Sequence, residues 1–191
     1  MEAYKLILAS SSEIRKQILT NHKVNFKAVK HVFDENIGKT NNNLKPTELS
    51  RYLAEQKSLS LGGTHIDQII LGCDQVCVLE DTIFSKPNTL DQAITNLSMM
   101  SEKTHQLIGS YAFSMNSKIL FNETVTCTMT MKKLSIEQIK EYVNLDKPLK
   151  SCGSYMFEKN GYKLFSKVQG SLEAINGLPF TYLSKKLKQY V

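Results

Sequence analysis

The pattern of apolar and polar positions predicts that strands and helices alternate at both ends of the 191-residue chain. A short apolar run at 4–9 predicts a strand, and the segment at 13–21 predicts the helix that follows it. A second strand is predicted over 24–29, and a second helix from Pro46 to about residue 61, where two glycines end it. The chain is predicted to close with a helix over 180–189.

The middle of the chain predicts an antiparallel section. A hydrophobic run at 68–80 has the composition of a buried strand, and the segments flanking Asn116-Ser117 predict a hairpin. The remaining predicted strands and helices complete the pattern: strands over 110–115, 118–123, 124–131, 153–157 and 163–168, and helices over 91–100 and 136–144. The prediction is a mixed α/β fold, with a curved sheet that contains a long antiparallel section and is flanked by helices.

The composition is that of a globular protein, with 41% hydrophobic and 22% charged residues. No apolar stretch approaches the length of a membrane span, and residues 1–9 do not have the pattern of a secretory signal. We therefore expect a cytoplasmic protein with no membrane partner. Its cysteines show no zinc-type spacing and are expected to be reduced, mostly buried thiols: Cys73, Cys77, Cys127 and Cys152.

The net charge of +6 favours an anionic partner, but the lysines are spread along the chain. No basic tract with interleaved aromatic residues is present, so stable binding to nucleic acid is not expected. A small, multiply charged anion such as a nucleotide fits this distribution better. Ordinary solvated lysines are the alternative explanation. The four histidines are scattered, and no histidine-based metal site is expected.

The stretch LASSSEIRK at 8–16 ends an apolar strand in three serines and a single arginine. A strand that turns into a helix in this way can build an anion site, because the first backbone N–H groups of a helix lack partners within it. Ser10 and Arg15 are then the candidate ligands. The alternative is that Ser10-x-x-Glu13 is an ordinary capping box.

Asp74 interrupts the apolar run at 69–79 and is the most informative residue of the sequence. A carboxylate in a buried strand is costly unless it is paired, bound to a metal or placed at the mouth of the strand. Such a carboxylate is a candidate general base. The alternative is an aspartate that caps a turn at the end of the strand.

Three further charged residues occupy unusual positions. Glu35 follows a predicted strand in the stretch FDEN, where paired acids would suit Mg²⁺ or Mn²⁺, although a surface loop acid is the alternative. Lys57 lies on the apolar stripe of its helix, and Lys86 precedes a proline. With Arg15 these two lysines would offer three cations to a polyphosphate. The alternatives are a lysine that extends its head to solvent and a lysine on a loop surface.

Seven stretches, in their order and spacing, resemble the Maf family of nucleoside triphosphate pyrophosphatases over nearly the whole chain. They are LILASSSEIRKQIL (6–19), FDE (33–35), LAEQK (53–57), LGCDQVCVLE (71–80), SKP (85–87), KPLKSCGSY (147–155) and NGLPF (176–180). The resemblance implies one Maf-like domain over 1–191, either undivided or built from two lobes with the active cleft between them. It also implies a house-cleaning enzyme that releases a monophosphate and pyrophosphate, and a possible homodimer is an expectation from the family alone.

The resemblance implies a role for each candidate residue. Asp74 would accept the proton of the attacking water. Glu35 and Asp74 would hold a divalent cation, Mg²⁺ or Mn²⁺. The phosphate-binding residues would be Ser10, Arg15, Lys57 and Lys86.

The substrate branch is indicated by two positions and one short stretch. Gln75 after the catalytic aspartate, Glu158 in the later loop and the stretch DQVCVL resemble the branch that hydrolyses 7-methyl-GTP. Ile14 stands where that branch has a tryptophan, so this position is also expected to affect specificity. The alternatives are the dTTP/UTP pyrophosphatases of the sister branch and a nucleotide-binding regulator with weak catalysis.

Overall fold

A computed structural model describes residues 6–35 and 44–190, which form one mixed sheet flanked by helices. The strands in these ranges are β1 (Leu6–Ala9), β2 (Phe26–Ala28), β3 (Ile70–Leu79), β4 (Thr82–Phe84), β5 (Thr104–Met115), β6 (Lys118–Met131) and β7 (Phe165–Gln169). The α-helices are α1 (Glu13–Asn21), α2 (Pro46–Leu59), α3 (Leu90–Met100), α4 (Ile136–Asp146), α5 (Leu172–Ile175) and α6 (Phe180–Leu187). A 3₁₀ turn, Gly161–Leu164, precedes β7.

The sheet combines parallel and antiparallel pairs, as the sequence predicts. Its strands lie in the order β2-β1-β3-β5-β6-β7, and β4 pairs with β3 outside this path. β1 is parallel to both β2 and β3, whereas β3 with β4 and β6 with β7 are antiparallel. Because β1 and β3 pair directly, the end of β1 lies beside the first residues of β3, with Ala9 opposite Gly72.

The predicted hairpin is confirmed, and its second strand is longer than expected. β5 and β6 are neighbours joined by Asn116 and Ser117, whose φ angles of 50° and 60° are typical of the tight turns that match strand twist. The segments predicted as two strands, 118–123 and 124–131, form the single strand β6. Cys127, Met129 and Met131 are buried on one face of it, as their alternation predicts.

The strand predicted over 153–157 is wrong. Ser154 has a φ of +58°, which is incompatible with extended backbone, and its buried hydroxyl accepts a hydrogen bond from Asn96 Nδ2 at 2.9 Å. The chain makes turns there instead. The last predicted strand begins later than expected, at Phe165, because the 3₁₀ turn comes first. The strand β4 and the short helix α5 were not predicted.

The chain divides into two compact units. The first comprises residues up to 74 together with 109–125 and 177–191, and the second comprises 75–108 and 126–176. The core of the first unit is formed by buried side chains of its strands and terminal helices, among them Leu8, Leu19, Leu71, Phe113, Leu178 and Leu183. In the second unit Val76, Val78 and Ile108 pack together. The cleft implied by the family resemblance stays a prediction.

Two further properties of the described residues agree with the sequence. None of the four cysteines, all of which lie in the described ranges, forms a disulfide; Cys73, Cys77 and Cys127 are buried and Cys152 is partly exposed. No helix in the described part of the chain is both long enough and apolar enough to cross a membrane.

Candidate active site

The serine-rich turn between β1 and α1 does not form the capping box that the sequence left open. The helix begins at Glu13 with Ser12 as its N-cap, and the Ser12 side chain makes no capping hydrogen bond. The Ser10 hydroxyl is buried and accepts from the Ser12 backbone N–H at 3.2 Å. Glu13 pairs with Lys16 at 2.8 Å. The N–H groups of the first helical turn are thus not satisfied by a side-chain cap, which leaves them for solvent or a ligand.

Arg15 is held in place by three contacts at the start of α1. Its Nε donates to the Gly177 carbonyl at 2.9 Å, and its Nη1 donates to the Cys73 carbonyl at 3.1 Å and to Ser10 Oγ at 3.4 Å. Within the described ranges these contacts use Nε and Nη1, so the N–H groups of Nη2 remain for a ligand. Arg15 therefore joins the serine turn to the residue that precedes Asp74.

Asp74 and Lys57 form a buried ion pair. Lys57 Nζ lies 2.7 Å from Asp74 Oδ1, and the two side chains are 7% and 10% exposed. The ion pair satisfies the requirement that the sequence identified, because a charge in a buried strand needs a partner. Asp74 does not cap a turn at the end of β3, since the strand continues to Leu79. The Lys57 ammonium does not extend to solvent either. The two alternatives left open by the sequence, a turn-capping aspartate and a lysine with a solvent-exposed ammonium, are therefore wrong.

A glycine in β3 brings the lysine within reach of the aspartate. A Cβ placed on Gly72 would lie 2.1 Å from the Ala54 carbonyl oxygen and 2.7 Å from the Ser58 backbone nitrogen. These distances are far below van der Waals contact, so only glycine permits this approach of α2 to the strand. Lys57 lies between those two helical residues, and Asp74 is two positions beyond the glycine on the same face of the strand.

Glu35 reaches the same lysine from the segment after β2. Its Oε1 lies 3.1 Å from Lys57 Nζ, so one ammonium contacts two carboxylates. His31 Nε2 contacts the same Glu35 oxygen at 3.3 Å, while its Nδ1 lies 3.1 Å from the Phe33 carbonyl. The Phe33 ring packs edge-on against Tyr52 of α2, with ring centroids 6.1 Å apart. These contacts fix the segment against the helix that carries Lys57.

The centre of the site is buried enough to affect a neighbouring thiol. Burial raises the pKa of Cys73 to about 11, an effect that the positive charges of Arg15 and Lys57 oppose and that the negative charge of Asp74 reinforces. The thiol is therefore protonated at neutral pH and is a packing group rather than a nucleophile.

The predicted metal ligands, Glu35 and Asp74, have the right chemistry for a hard cation. Carboxylate oxygens are the ligands that Mg²⁺ and Mn²⁺ prefer, and both carboxylates contact the same ammonium. Among the described residues, no group of three or more His, Cys, Asp or Glu could hold a metal by itself. Mg²⁺ is commonly bound by one or two carboxylates together with water and substrate phosphates, and this pair fits that pattern.

The other candidate residues lie on different elements. Lys86 is exposed, two residues after β4, and Glu158 is exposed in a turn at 157–160. Gln75 follows Asp74 in β3, and its Nε2 donates to the Ala174 carbonyl at 3.0 Å. Ile14 is partly buried and packs against the core of the first unit. The first unit thus brings together Ser10, Arg15, Glu35, Lys57 and Asp74. The roles of these five residues, like those of Lys86, Gln75, Glu158 and Ile14, stay predictions.

Sequence reasoning missed His31 and the backbone carbonyls that hold Arg15. His31 stands four residues before Glu35, a spacing that could have drawn attention to it. The carbonyls of Cys73 and Gly177 are 58 and 162 positions from Arg15, and backbone groups leave no trace in residue types.

Comparison with known proteins adds a full-length relationship to this geometry. A family model described as Maf-like protein matches residues 5–190. A protein of Pelagibacter ubique named nucleoside triphosphate pyrophosphatase is 35% identical, and the match covers 98% of this chain and 96% of that protein. Two proteins named 7-methyl-GTP pyrophosphatase are similar: one of Bdellovibrio bacteriovorus (36% identical, 98% of each chain) and one of Bartonella quintana (38% identical, 98% of this chain and 96% of that protein).

A solved structure has a similar fold. It is that of a HAM1 protein from Coxiella burnetii, with a TM-score of 0.52 at 12% sequence identity, covering 97% of this chain and 99% of that chain. At this identity the likeness concerns the fold alone. The match of the family model from residue 5 to residue 190, together with relatives of 35–38% identity along the whole chain, shows that the protein belongs to the Maf family.

Proposed function

We propose that this protein is a metal-dependent nucleoside triphosphate pyrophosphatase that hydrolyses the bond between the α- and β-phosphates. The observation that carries the proposal is the buried cluster of Lys57, Asp74 and Glu35, in which one ammonium lies 2.7 Å and 3.1 Å from two carboxylates. A fold does not need buried charges at this point, because hydrophobic residues of similar volume often stabilise a protein as well. The names of the relatives and the family membership agree with the proposal.

Each of the clustered side chains has a chemical task in this reaction. Asp74 accepts the proton of the attacking water, for which a carboxylate beside the reacting phosphate is suited. Arg15, held by backbone carbonyls, directs Nη2 toward the phosphates, and the N–H groups at the start of α1 add further donors. Lys57 supplies positive charge. Phosphoryl transfer depends mainly on positioning and charge neutralisation, which this set of groups provides.

Glu35 and Asp74 are the residues that would hold the divalent cation. A bound Mg²⁺ or Mn²⁺ polarises phosphate oxygens and neutralises the charge that develops on them. Because the described residues offer two carboxylates here, the remaining ligands would be water and oxygens of the substrate.

The substrate we propose is 7-methyl-GTP. Two of the relatives are named for this activity, and an acid at position 158 can accept hydrogen bonds from N1–H and the amino group of a guanine. N7-methylation also makes the base cationic, which an acid favours. The Gln75 amide nitrogen already donates to Ala174, so its oxygen is the atom available for recognition. Lys86 would contribute a further positive charge to the phosphates.

The alternative substrates are dTTP and UTP. The aliphatic side chain of Ile14 favours them, because it offers no aromatic face on which a methylated purine could stack. Guanine differs from thymine and uracil in the hydrogen-bonding groups along the edge of the base. Rates measured on a panel of nucleotides therefore distinguish the two substrate classes.

The test is a product assay with 7-methyl-GTP, GTP, dTTP and UTP, each with Mg²⁺ and with Mn²⁺. We expect a monophosphate and pyrophosphate as products, with the highest kcat/KM for 7-methyl-GTP. Release of a diphosphate and phosphate would contradict the proposed bond cleavage. Equal inactivity of the wild-type protein and its Asp74→Asn variant would instead support a nucleotide-binding regulator.

A further inference from the structure

The Lys57 ammonium contacts the same two carboxylates that the proposed metal would use. Its Nζ lies 2.7 Å from Asp74 Oδ1 and 3.1 Å from Glu35 Oε1, and the side chain is 7% exposed. A Mg²⁺ ion bound by these carboxylates would lie about 2.1 Å from one oxygen of each. A dication and an ammonium that contact the same two carboxylates repel each other strongly, since a buried site screens charge poorly. The two cations therefore compete for one pair of carboxylates.

The backbone around the site limits how this competition can be relieved. α2 packs directly on β3 at Gly72, where a Cβ would meet the Ala54 carbonyl oxygen at 2.1 Å, so helix and strand are closely packed. The lysine side chain, by contrast, has four rotatable bonds and can carry its ammonium several ångströms while its Cα stays in place. Movement of the Lys57 side chain alone is the simplest way to vacate the carboxylates.

We propose that Lys57 is an exchangeable counter-ion. In the metal-free protein its ammonium pairs with both Glu35 and Asp74 and offsets part of their negative charge. When metal and substrate bind, the ammonium leaves both carboxylates and moves to the phosphate oxygens. No proton is transferred in this step, because the lysine stays protonated and only its anionic partner changes. This inference rests on the proposed function for the metal and the triphosphate, and it goes beyond that function in giving Lys57 two successive partners.

The exchange accounts for two features that otherwise conflict. The family resemblance implies a phosphate-binding lysine at position 57, yet the structure places its ammonium on carboxylates. A lysine that served phosphate alone would leave the buried Asp74 without the ammonium that it pairs with here until the metal arrived, at a cost in stability. One side chain that alternates between the two sites avoids this cost.

The test measures Mn²⁺ binding to the nucleotide-free protein, by electron paramagnetic resonance of the free ion at a single pH. One pH is used because His31 Nε2 lies 3.3 Å from Glu35 Oε1. Lys57→Met removes the competing cation, and we expect it to bind Mn²⁺ at least about tenfold more tightly than the wild type. In the Lys57→Met/Glu35→Gln double variant the gain should be lost, since one of the two ligands is missing.

A matched control separates competition from a general change in net charge. Lys16 is in the same unit and pairs with Glu13 on α1, so Lys16→Met removes one positive charge away from the two carboxylates. Its affinity for Mn²⁺ should equal that of the wild type within about twofold, because surface charges are screened by salt. Should Lys57→Met fail to fold, Lys57→Gln provides a neutral side chain that still donates to carboxylates, and the same tightening is expected.

Unchanged or weaker Mn²⁺ binding by the neutral Lys57 variants, including no binding at all, would overturn the exchange. Because these titrations contain no nucleotide, their result does not depend on whether the protein hydrolyses any triphosphate. If the protein is active in the product assay but its Lys57 variants bind Mn²⁺ no more tightly, only the proposed exchange is refuted. If the Lys57 variants bind Mn²⁺ more tightly but the wild type hydrolyses no triphosphate, the proposed function is refuted and the competition for the carboxylates is retained.

Discussion

The ammonium of Lys57 and the carboxylate of Asp74 meet at 2.7 Å in a part of the protein where both side chains are at most one-tenth exposed. The first comes from helix α2 and the second from strand β3, 17 positions apart in sequence. A close pair of this kind couples stability to chemistry, because the group that would activate water also carries part of the charge balance of the core.

Replacing Asp74 by asparagine should abolish most of the activity while keeping the fold. The amide preserves the shape of the side chain and an oxygen for Lys57, but it cannot accept the proton of water. We expect kcat to fall by at least about a hundredfold, the usual scale for loss of a general base, with little change in the nucleotide affinity measured without metal, since Asp74 is also a proposed metal ligand. Turnover and equilibrium binding are measured separately on each protein. Near-normal turnover in a folded variant would show that another group is the base.

Replacing Lys57 by methionine should destabilise the protein in the absence of metal. Asp74 and Glu35 would lose a shared partner inside the protein, and removal of one member of a buried pair typically costs about 3–5 kcal/mol. The free energy of unfolding is measured by urea denaturation in the presence of a chelator. Lys16→Met, which breaks an exposed pair on α1, serves as the control and should change it by about 0.5 kcal/mol or less. A similar small loss at both positions would contradict the buried-pair interpretation.

Replacing Arg15 by alanine should weaken the handling of every triphosphate to the same degree. The guanidinium is oriented by the carbonyls of Gly177 and Cys73, and we propose that its remaining N–H groups face phosphate. Loss of a charge-assisted bond corresponds to roughly 1.5–3 kcal/mol in kcat/KM. The same nucleotide panel is used, with the exposed Arg51 of α2 replaced by alanine as a control for charge. A loss that depends on the base would place Arg15 near the ring instead.

Local signals predicted the elements well, and contacts between distant residues explain what they missed. Helix α1 has the bounds that its sequence predicts, and α4, predicted over 136–144, begins at Ile136 after a capping box formed by Ser135 and Gln138. The segment at 153–157 has the composition of a strand, but its conformation depends on Ser154 and on a hydrogen bond from Asn96, 58 positions away. A tertiary contact of that kind overrides a local preference.

In the candidate site, too, local sequence signals identify single residues, and contacts between distant residues do not show in the sequence. Asp74 could be singled out because an acid in an apolar run is anomalous in any fold. The contact of Glu35 with Lys57 could not be deduced, since it depends on how the segment after β2 packs against α2. The sequence therefore singled out the candidate residues one by one, whereas the structure shows which of them share a partner.

Acid should destabilise the protein through His105. This residue is buried in the second unit, and burial lowers its pKa from 6.5 to about 4. The unfolded chain therefore binds a proton between pH 6.5 and pH 4 that the folded chain does not, so stability falls as the pH is lowered through this window. The loss of unfolding free energy caused by this histidine reaches about 3 kcal/mol once the pH is below both its unfolded and its folded pKa. It is measured as the free energy of unfolding from pH 7 to pH 4.

Two variants test the assignment of this acid sensitivity. His105→Leu removes the titrating group and should flatten the dependence in that window. Tyr155→Phe removes only the hydroxyl that lies 2.8 Å from His105 Nε2, so the histidine remains buried and the dependence should persist. A wild-type slope retained in His105→Leu would assign the sensitivity to other groups.

Replacing Glu158 by glutamine should reduce selectivity for 7-methyl-GTP without affecting the chemistry at Asp74. Glu158 lies in the turn at 157–160, which is anchored because Asp146 accepts from both the backbone and the side-chain nitrogen of Asn160, at 3.0 Å and 2.8 Å. A carboxylate there can accept two N–H bonds from a guanine, whereas an amide would present its own NH₂ to one of those donors. Discrimination of this kind is large, since the mismatch leaves polar groups unpaired. We therefore expect kcat/KM for 7-methyl-GTP to fall by at least about tenfold, while kcat/KM for dTTP and UTP stays unchanged. The control is Glu102→Gln, which alters an exposed acid elsewhere. A wild-type preference for dTTP or UTP that Glu158→Gln leaves unchanged would contradict the proposed substrate and leave the pyrophosphatase chemistry standing.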